Sequence, residues 1–508
     1  MSAWIFYGAP LLWLLVAGVV LMIADAFFPT VPETISTAEQ RVHRPELAMM
    51  TVAILVVGIG ISVGLWISGV PAHAPRLFGQ YLAVDHLSLV MDVVILLGAV
   101  FSVLLAGGYL HEHEIERGEF YPLILFTAFG AMILARATDL LSIFVGLETM
   151  SLGVYTLVAF RRTSPRAAEG ALKYFLLGSF AAAILLFGSA LLYGATGHTD
   201  LAGIGEAIKN QNADTMLVIF GVLLVIIGLA FKVSAVPFHM WTPDAYEGAI
   251  TPVTTFMSVA VKAAAFAVLT RMLVVSFGDP LTSSAGTGWP PVLAGLAAVT
   301  MLFGNLGAVI QSSVKRMLAY SSIAHAGYIL IALVAAQKLG AEAVSSVLYY
   351  LLAYTASNAL AFGSLILMGS RGREAVSCED LAGVGRRHPV AAVPFVVAML
   401  SLMGFPPTGG FFAKYYVLNS AVQAGGGMVW LAVLGVLTSV LGAYYYLRVL
   451  VFMFMKEPKE GAPIAVPMKS GYVSAALVIA ALFVMAMGLA PSLFLQMPLE
   501  AAQHLVQR

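Results

Sequence analysis

The sequence predicts an all-α polytopic membrane protein with roughly fourteen transmembrane helices, arranged as two inverted five-helix repeats that each contain a broken helix. Three observations carry that expectation. Hydrophobic residues make up 60% and charged residues only 10%, with a mean hydropathy of +0.93, whereas a soluble domain carries about 25% charged residues. Apolar runs of spanning length recur along the whole 508-residue chain. Two of those runs, five apart in order, are interrupted by proline and glycine beside a lysine.

A spanning helix needs about 20 mostly apolar residues. Runs of that kind fall at 8–28, 47–69 and 87–109, then at 119–136, 139–160, 168–193, 215–247 and 252–275. Others follow at 288–311, 317–336, 342–369, 388–424 and 428–455, with a last one at 470–494. They are sustained instead of alternating, so they read as helices and not as strands of a barrel. Residues 1–118 then hold three leading helices, 119–275 the first repeat (spans 4–8), 288–455 the second (spans 9–13) and 470–494 the fourteenth helix. No connecting loop is long enough for a soluble domain. The first run, from Leu11 to Phe28, is longer than a signal-peptide core and lacks a basic leader, so it is expected to stay as a span.

Lys plus Arg and Asp plus Glu both total 26, so no net charge recruits nucleic acid or an acidic substrate. Their distribution says more. Loops after odd-numbered spans hold Arg41, Arg44, Arg117, Arg161, Arg162, Arg166, Lys315, Arg316, Arg371, Arg373, Arg386, Arg387, Lys456, Lys459 and Lys469, fifteen in all. The other side holds six: Arg76, Arg136, Lys209, Arg271, Lys338 and Arg508. The positive-inside rule then places the odd loops in the cytoplasm and both termini outside. Five basic residues of the 26 remain within the runs: Lys173, Lys232, Lys262, Lys414 and Arg448.

The seventh run reads GLAFKVSAVPFHMWTPDAYEG, with Pro237 and Pro243 soon after Lys232. The twelfth reads SLMGFPPTGGFFAKYYVLN, with Pro406, Pro407, Gly409 and Gly410 just before Lys414. Proline removes a backbone donor and disrupts the turn before it. At membrane depth such backbone survives only where protein or a wet cavity satisfies it. An offset of five spans means the two broken runs cross in opposite directions, the pattern of an inverted repeat found in many ion carriers.

An ionised side chain at the centre of a span costs about 2.5–3.5 kcal/mol on insertion scales. Glu148, midway in DLLSIFVGLETMSLGVYTLVAF, and Lys262, midway in TTFMSVAVKAAAFAVLTRML, lie too deep to snorkel. Together with Lys232 and Lys414 they must be paired, hydrated or used. Ion pairs that merely fix helix register are the plain alternative, but the lysines outnumber the intramembrane acids. Burial favours a neutral amine and a neighbouring carboxylate favours the ammonium, so a Glu–Lys pair responds to any charge that moves between them. That is the chemistry of a proton relay, with hops between lysines over short water chains.

Other candidates are less sharply drawn. Lys173, in AALKYFLLGSF, lies close enough to its helix start to snorkel, and the relay and snorkel readings stand level. His239, in the first break, and His325, in YSSIAHAGYILIALV, fit either a hydrogen-bonded core role or a relay role, because neutral imidazole passes protons near physiological pH. Arg448, after Tyr444, Tyr445 and Tyr446, reads as an anchor, and Asp25 and Asp92 as span-end or packing acids. The single cysteine, Cys378, leaves no internal disulfide and no iron–sulfur cluster, which takes about four thiolates. No cluster has metal-ligand spacing. GIGISVG at 58–64 lies within a span and reads as helix packing instead of a phosphate loop, and HEHEIERGEF at 111–120 reads as a solvated loop.

Several stretches, FVGLETMSL, ALKYFLLGSF, AFKVSAVPFHMWTPDAYEGAITPVTTF, SVKRMLAYSSIAHAGYILI and GFPPTGGFFAKYYV, closely resemble subunit N of proton-pumping NADH-quinone oxidoreductase, respiratory complex I. The likeness runs from about Asp139 to Tyr416 with the motifs in order, within a family of antiporter-like subunits related to Mrp-type sodium/proton antiporters. The resemblance implies that Glu148 matches the family's fifth-helix acid, Lys232 its broken-helix pump lysine, Lys262 its connecting lysine and Lys414 the lysine of its second broken helix. Lys173 matches a sixth-helix lysine of the N subunit. Lysine at position 414 favours the N type over the M type, and the absence of a lateral helix favours it over the L type. Ile250 and Val261 stand where the family often has proline. By resemblance this chain carries no cofactor: NADH, FMN, iron–sulfur clusters and quinone would be held by other subunits. It would move protons from cytoplasm to outside in the bacterial inner membrane, beside neighbouring antiporter-like and small transmembrane subunits. The rivals are an Mrp-type cation/proton antiporter subunit and the equivalent subunit of a membrane-bound hydrogenase or other non-NADH dehydrogenase.

Overall fold

Aspartate and serine side chains cap the N-termini of seven helices longer than one turn among the described residues. Asp85 and Ser88 form a reciprocal capping box (2.9 Å each way), and Asp139, Ser164, Asp200, Asp214, Ser313 and Ser470 each accept from a first-turn N–H. The computed structural model describes residues 3–27, 45–70, 77–284, 288–369, 374, 376–458 and 465–507. Of the basic residues compared above, Arg41, Arg44, Arg76, Arg371, Arg373, Lys459 and Arg508 lie outside these described residues.

Three leading helices, α1 (Ala3–Phe27), α2 (Pro45–Ser68) and α3 (His86–Glu112), precede α4 (Phe120–Arg136), α5 (Leu140–Val158) and α6 (Pro165–Thr196). A short helix α7 (Leu201–Lys209) leads into α8 (Thr215–Lys232) and α9 (Trp241–Gly248), the halves of the seventh crossing. The eighth crossing is α10 (Thr251–Val275), with a π-helical turn at Met257–Val261. Then come α11 (Trp289–Val309), α12 (Val314–Leu339) and α13 (Ala341–Leu367). The twelfth crossing is broken into α14 (Pro389–Met403) and α15 (Gly409–Gln423), followed by α16 (Val429–Met455), α17 (Gly471–Leu489) and α18 (Pro491–Val506). Among the described residues twelve helices are long and apolar enough to span a membrane, and α4 plus the α14–α15 pair complete fourteen crossings, with both breaks where the prolines predict them.

Besides short one-turn pieces, two helices among the described residues lie mostly outside the expected spans. α7 and α18 bury only a stripe each, Leu201, Ile204 and Ile208 in one and Ala501, Ala502 and Leu505 in the other. A stripe that narrow gives too weak a run to read as a crossing.

Burial is graded across the bundle. α3, α10, α12 and α13 are almost wholly buried, while α1, α2, α6, α11 and α16 turn apolar side chains such as Phe180, Phe187, Leu437 and Val440 outward, as lipid-facing helices do. The buried polar residues gather on the central helices and their neighbours.

The two ends of the bundle differ. One, here called the basic end, has a pocket of about 260 Å³ lined by Tyr109, Arg161, Ser164, Arg166, Glu247 and Glu374 among others. At the opposite end Asp92 receives the guanidinium of Arg136, and Asp85 receives both terminal nitrogens of Arg271 at 2.6 and 3.0 Å. Both ion pairs are buried, so Arg136 and Arg271 act as internal clamps and not as exposed loop charges. Folded-over connections cover them: Ala83 N–H bonds to Arg136 O (2.8 Å), and Leu201 N–H to Thr138 O (2.9 Å).

Candidate functional site

Glu148, Ser151 and Tyr155 share one face of α5 at helical spacing. Lys232, the last residue of α8, brings its buried Nζ to that face and donates to Ser151 Oγ (2.8 Å) and Tyr155 OH (3.3 Å). The ammonium also lies 5.3 Å from the ring centroids of both Tyr155 and Tyr174. Lys232 is the charge that bears on Glu148, yet the two do not touch: the buried Glu148 Oε1 takes no hydrogen bond from the protein. The pair predicted from sequence is therefore brought together in an indirect form.

The break after Lys232 is stabilised group by group. Ser234 adopts φ +64°, Val236 N–H donates to Thr300 Oγ1 on α11 (2.9 Å), and Trp241 Nε1 donates to Phe231 O (3.0 Å). Pro243 stands in the first turn of α9, where a missing N–H costs no helical bond. Pro237 lies in the break itself. His239 follows it, partly exposed, with a buried Nδ1 that has no protein partner.

Lys262 begins the α-helical stretch just after the π turn, and is buried. Its Nζ donates to Ser322 O (2.6 Å) and Ser322 Oγ (2.5 Å) on α12. Ser322, His325 and Tyr328 rise along one face of α12 at three-residue steps. The His325 ring nitrogens bond to Tyr350 OH (2.6 Å) and Tyr446 OH (3.2 Å), and the charges of Lys262 and Lys414 both bear on it. Tyr446 OH is also bonded to Ser321 Oγ.

Lys414, on α15, donates to Met403 O (3.0 Å) and Ser439 Oγ (2.8 Å), and its Nζ lies 5.0 Å from the Tyr328 ring centroid. Tyr328 OH donates to Thr438 Oγ1 and receives Asn305 Nδ2, both at 3.2 Å, and Asn305 Oδ1 accepts from Tyr445 (3.1 Å). The break beside it depends on glycine. Gly404 has φ +87°, and a Cβ there would sit 2.9 Å from Lys414 Cδ; a Cβ on Gly410 would meet Ser401 O at 1.9 Å. Pro406, Pro407 and Gly409 complete the interruption between α14 and α15.

Lys173 stands apart from this line. It is partly exposed and paired with Glu169 (2.6 Å) and Asp244 (2.7 Å), while Arg316 binds the other Asp244 oxygen (2.7 Å) and Glu247 (2.9 Å). These contacts tie α6 and α12 to α9. Arg448 donates to the carbonyls of Val309 and Gln311 at the end of α11, an anchoring contact. Among the described residues no group of three His, Cys, Asp or Glu side chains is placed to hold a metal ion.

Sequence reasoning passed over the neutral members of the site: Ser151, Tyr155, Asn305, Ser322, Tyr328, Ser439 and Tyr446. The available signal was polar residues recurring at three- and four-residue steps in α5 and α12, as in SSIAHAGY.

Residues 137–442 match the family described as NADH:quinone oxidoreductase/Mrp antiporter, transmembrane. NADH-quinone oxidoreductase subunit N 1 of Sorangium cellulosum is 54% identical over 503 residues, covering 97% of both chains. A chain of respiratory complex I from Thermus thermophilus superposes with a TM-score of 0.77 at 36% identity, over 96% of this chain and 98% of that one. A chain of the Mrp complex from a Dietzia strain superposes with a TM-score of 0.82 over 100% and 98%, but at 24% identity, a likeness of fold alone. A family model matching more than half of the chain and 54% identity over nearly its whole length make this chain a member of the NADH-quinone oxidoreductase subunit N family.

Proposed function

We propose that this chain is the proton-translocating N-type membrane subunit of an NADH-quinone oxidoreductase, with Glu148, Lys232, Lys262, His325 and Lys414 as its relay. The observation that carries the reading is the position of His325 on α12, one turn from Ser322, which holds Lys262, and one turn from Tyr328, whose ring centroid lies 5.0 Å from Lys414 Nζ. Each buried ammonium is held by hydroxyls and carbonyls and not by a direct carboxylate contact, so its proton can leave without breaking a neutralising ion pair. The basic end faces the cytoplasm by the positive-inside bias, and protons travel from there outward, with both termini outside.

Redox chemistry stays in partner subunits, which hold NADH, FMN, iron–sulfur clusters and quinone; this chain responds to quinone reduction and binds none of them. Its neighbours are antiporter-like and small transmembrane subunits in a bacterial inner membrane. Lys173 acts as part of the clamp on α9, outside the relay, and His239 hydrates the first break. The Mrp alternative is supported by shared fold, the N-type reading by 54% identity over nearly the whole chain.

Proton uptake into inverted membrane vesicles, driven by NADH and normalised for assembled complex, tests the reading. Lys262→Ala and His325→Phe should each pump far fewer protons per electron than the parent. Parental ratios in both variants would remove the relay from this chain.

A further inference from the structure

At the basic end one carboxylate crosses between the two repeats. Glu374 stands in the connection after α13, which runs beside the start of α12 through Val314 N–H to Val376 O (2.6 Å) and Cys378 N–H to Ser312 O (3.3 Å). From there its side chain, only 19% exposed, reaches into the first repeat. Its Oε1 accepts from the hydroxyl of Tyr109 on α3 and from Thr251 Oγ1 at the start of α10 (2.7 Å). Its Oε2 lies 3.2 Å from Lys315 Nζ on α12, and Lys315 also donates to Ala249 O (2.6 Å). Burial alone would raise the pKa of Glu374, but Lys315 and the hydrogen bonds from Tyr109 and Thr251 hold it at about 2. A group that acid stays ionised at neutral pH and does not carry protons. It fastens.

What it fastens is the pair of helices that meet at Lys262. That contact crosses from α10 in the first repeat to Ser322 of α12 in the second. α10 is held at both ends, by Glu374 on Thr251 and by Asp85 on Arg271. Between these anchors lies the π turn Met257–Val261, immediately before Lys262. A π turn carries a surplus residue, and rewinding it to α would turn one part of the helix against the other by about 100°. With both ends pinned, the surplus residue has nowhere to go and Lys262 stays aimed at α12.

We propose that Glu374 is a positioning residue for the relay: by fixing the Thr251 end of α10 to α12 it traps the π turn that keeps Lys262 on Ser322. The proposal rests on the relay reading above. Its test uses the complete complex in inverted vesicles, with Glu374→Gln, Ser322→Ala, the double variant and Lys262→Ala. Glu374→Gln conserves shape and removes the charge that holds Lys315. It should assemble normally and lower protons pumped per electron by about threefold or more, within the coupling expected between contacting groups. Ser322→Ala should lower the ratio too, and the double variant should be little worse than the more affected single one, because both act on one contact. Parental pumping by Glu374→Gln, failure of that variant to assemble, or losses that multiply in the double variant would each overturn the proposal. Lys262→Ala separates the two readings: parental pumping there removes Lys262 from the relay and this proposal with it. If Lys262→Ala fails to pump while Glu374→Gln pumps normally, the relay stands and only the role of Glu374 falls.

Discussion

Lys262 on α10 meets Ser322 on α12 in the buried interior of the bundle, the ammonium donating to the serine carbonyl at 2.6 Å and to its hydroxyl at 2.5 Å. No carboxylate supplies that contact. A neutral acceptor leaves the lysine free to change its charge, where an ion pair would make deprotonation strand a buried anion. The same holds at Lys232, on Ser151 and Tyr155, and at Lys414, on Met403 O and Ser439.

Glu148→Gln loses the charge that bears on Lys232 with almost no change of volume. The assembled amount should match the parent while the proton-to-electron ratio falls, and Glu148→Ala should show the same defect. Proton uptake into vesicles, divided by NADH oxidised, measures it; an unchanged ratio in Glu148→Gln takes this residue out of the mechanism.

Lys414→Ala should suppress pumping, and Lys414→Arg should be nearly as damaging, because a guanidinium keeps its proton. If Lys414 served only as a fixed charge, arginine would restore function and alanine would impair assembly. The two variants compared in one vesicle assay decide between these roles.

Asp92→Asn should affect stability and not coupling. It leaves the buried guanidinium of Arg136 without its counter-ion, a loss of about 3–5 kcal/mol for a broken buried pair. Yield and thermal unfolding of the detergent-solubilised complex should drop, while whatever complex assembles should pump at the parental ratio.

Glu374 gives a pH dependence with a definite sign. Its carboxyl is held at about 2 in the folded chain, below the ordinary value of 4.5. A depressed folded pKa contributes stability above the unfolded value, and that contribution is lost as pH falls from 4.5 through about 2. Unfolding midpoints of the parent should therefore fall relative to those of Glu374→Gln across that acid window, and the difference between them should be flat above about pH 8, where His113, whose charge also bears on Glu374, is neutral. A difference that changed between about pH 8 and 9 would contradict the assignment of Glu374 as a permanently ionised anchor.

Orientation is testable from outside the cell. With Cys378 replaced, a single cysteine in the 161–166 connection should resist impermeant thiol reagents in intact cells and react in inverted vesicles. Labelling in intact cells would reverse the proposed topology.

Much of this was legible in the chain itself. In a sequence that is 60% hydrophobic, each lysine or proline within an apolar run stands out, since each is costly in lipid and persists only with a reason. That made the crossings, both breaks, and the charges at 148, 232, 262 and 414 readable without coordinates. Lys173 shows where such reading stops. Its depth left relay and snorkel level, and only the placement of Asp244, 71 residues away, tied it into an ion-pair cluster with α9.

Sequence alone determined which residues must be accounted for in the membrane; tertiary structure decided what accounts for them. Serine and threonine hydroxyls can bond a carbonyl one turn back on their own helix at little cost, and the tyrosine ring is largely apolar, so Ser151, Ser322 and Tyr446 leave no anomaly in a hydropathy pattern. Their partners lie on other helices, and a helix's rotation about its axis is set by packing. Arg271 finds Asp85 across 186 residues, and Glu374 finds Thr251 across 123. Those pairings exist only once the helices pack, because they depend on how the helix faces meet and not on what each helix contains.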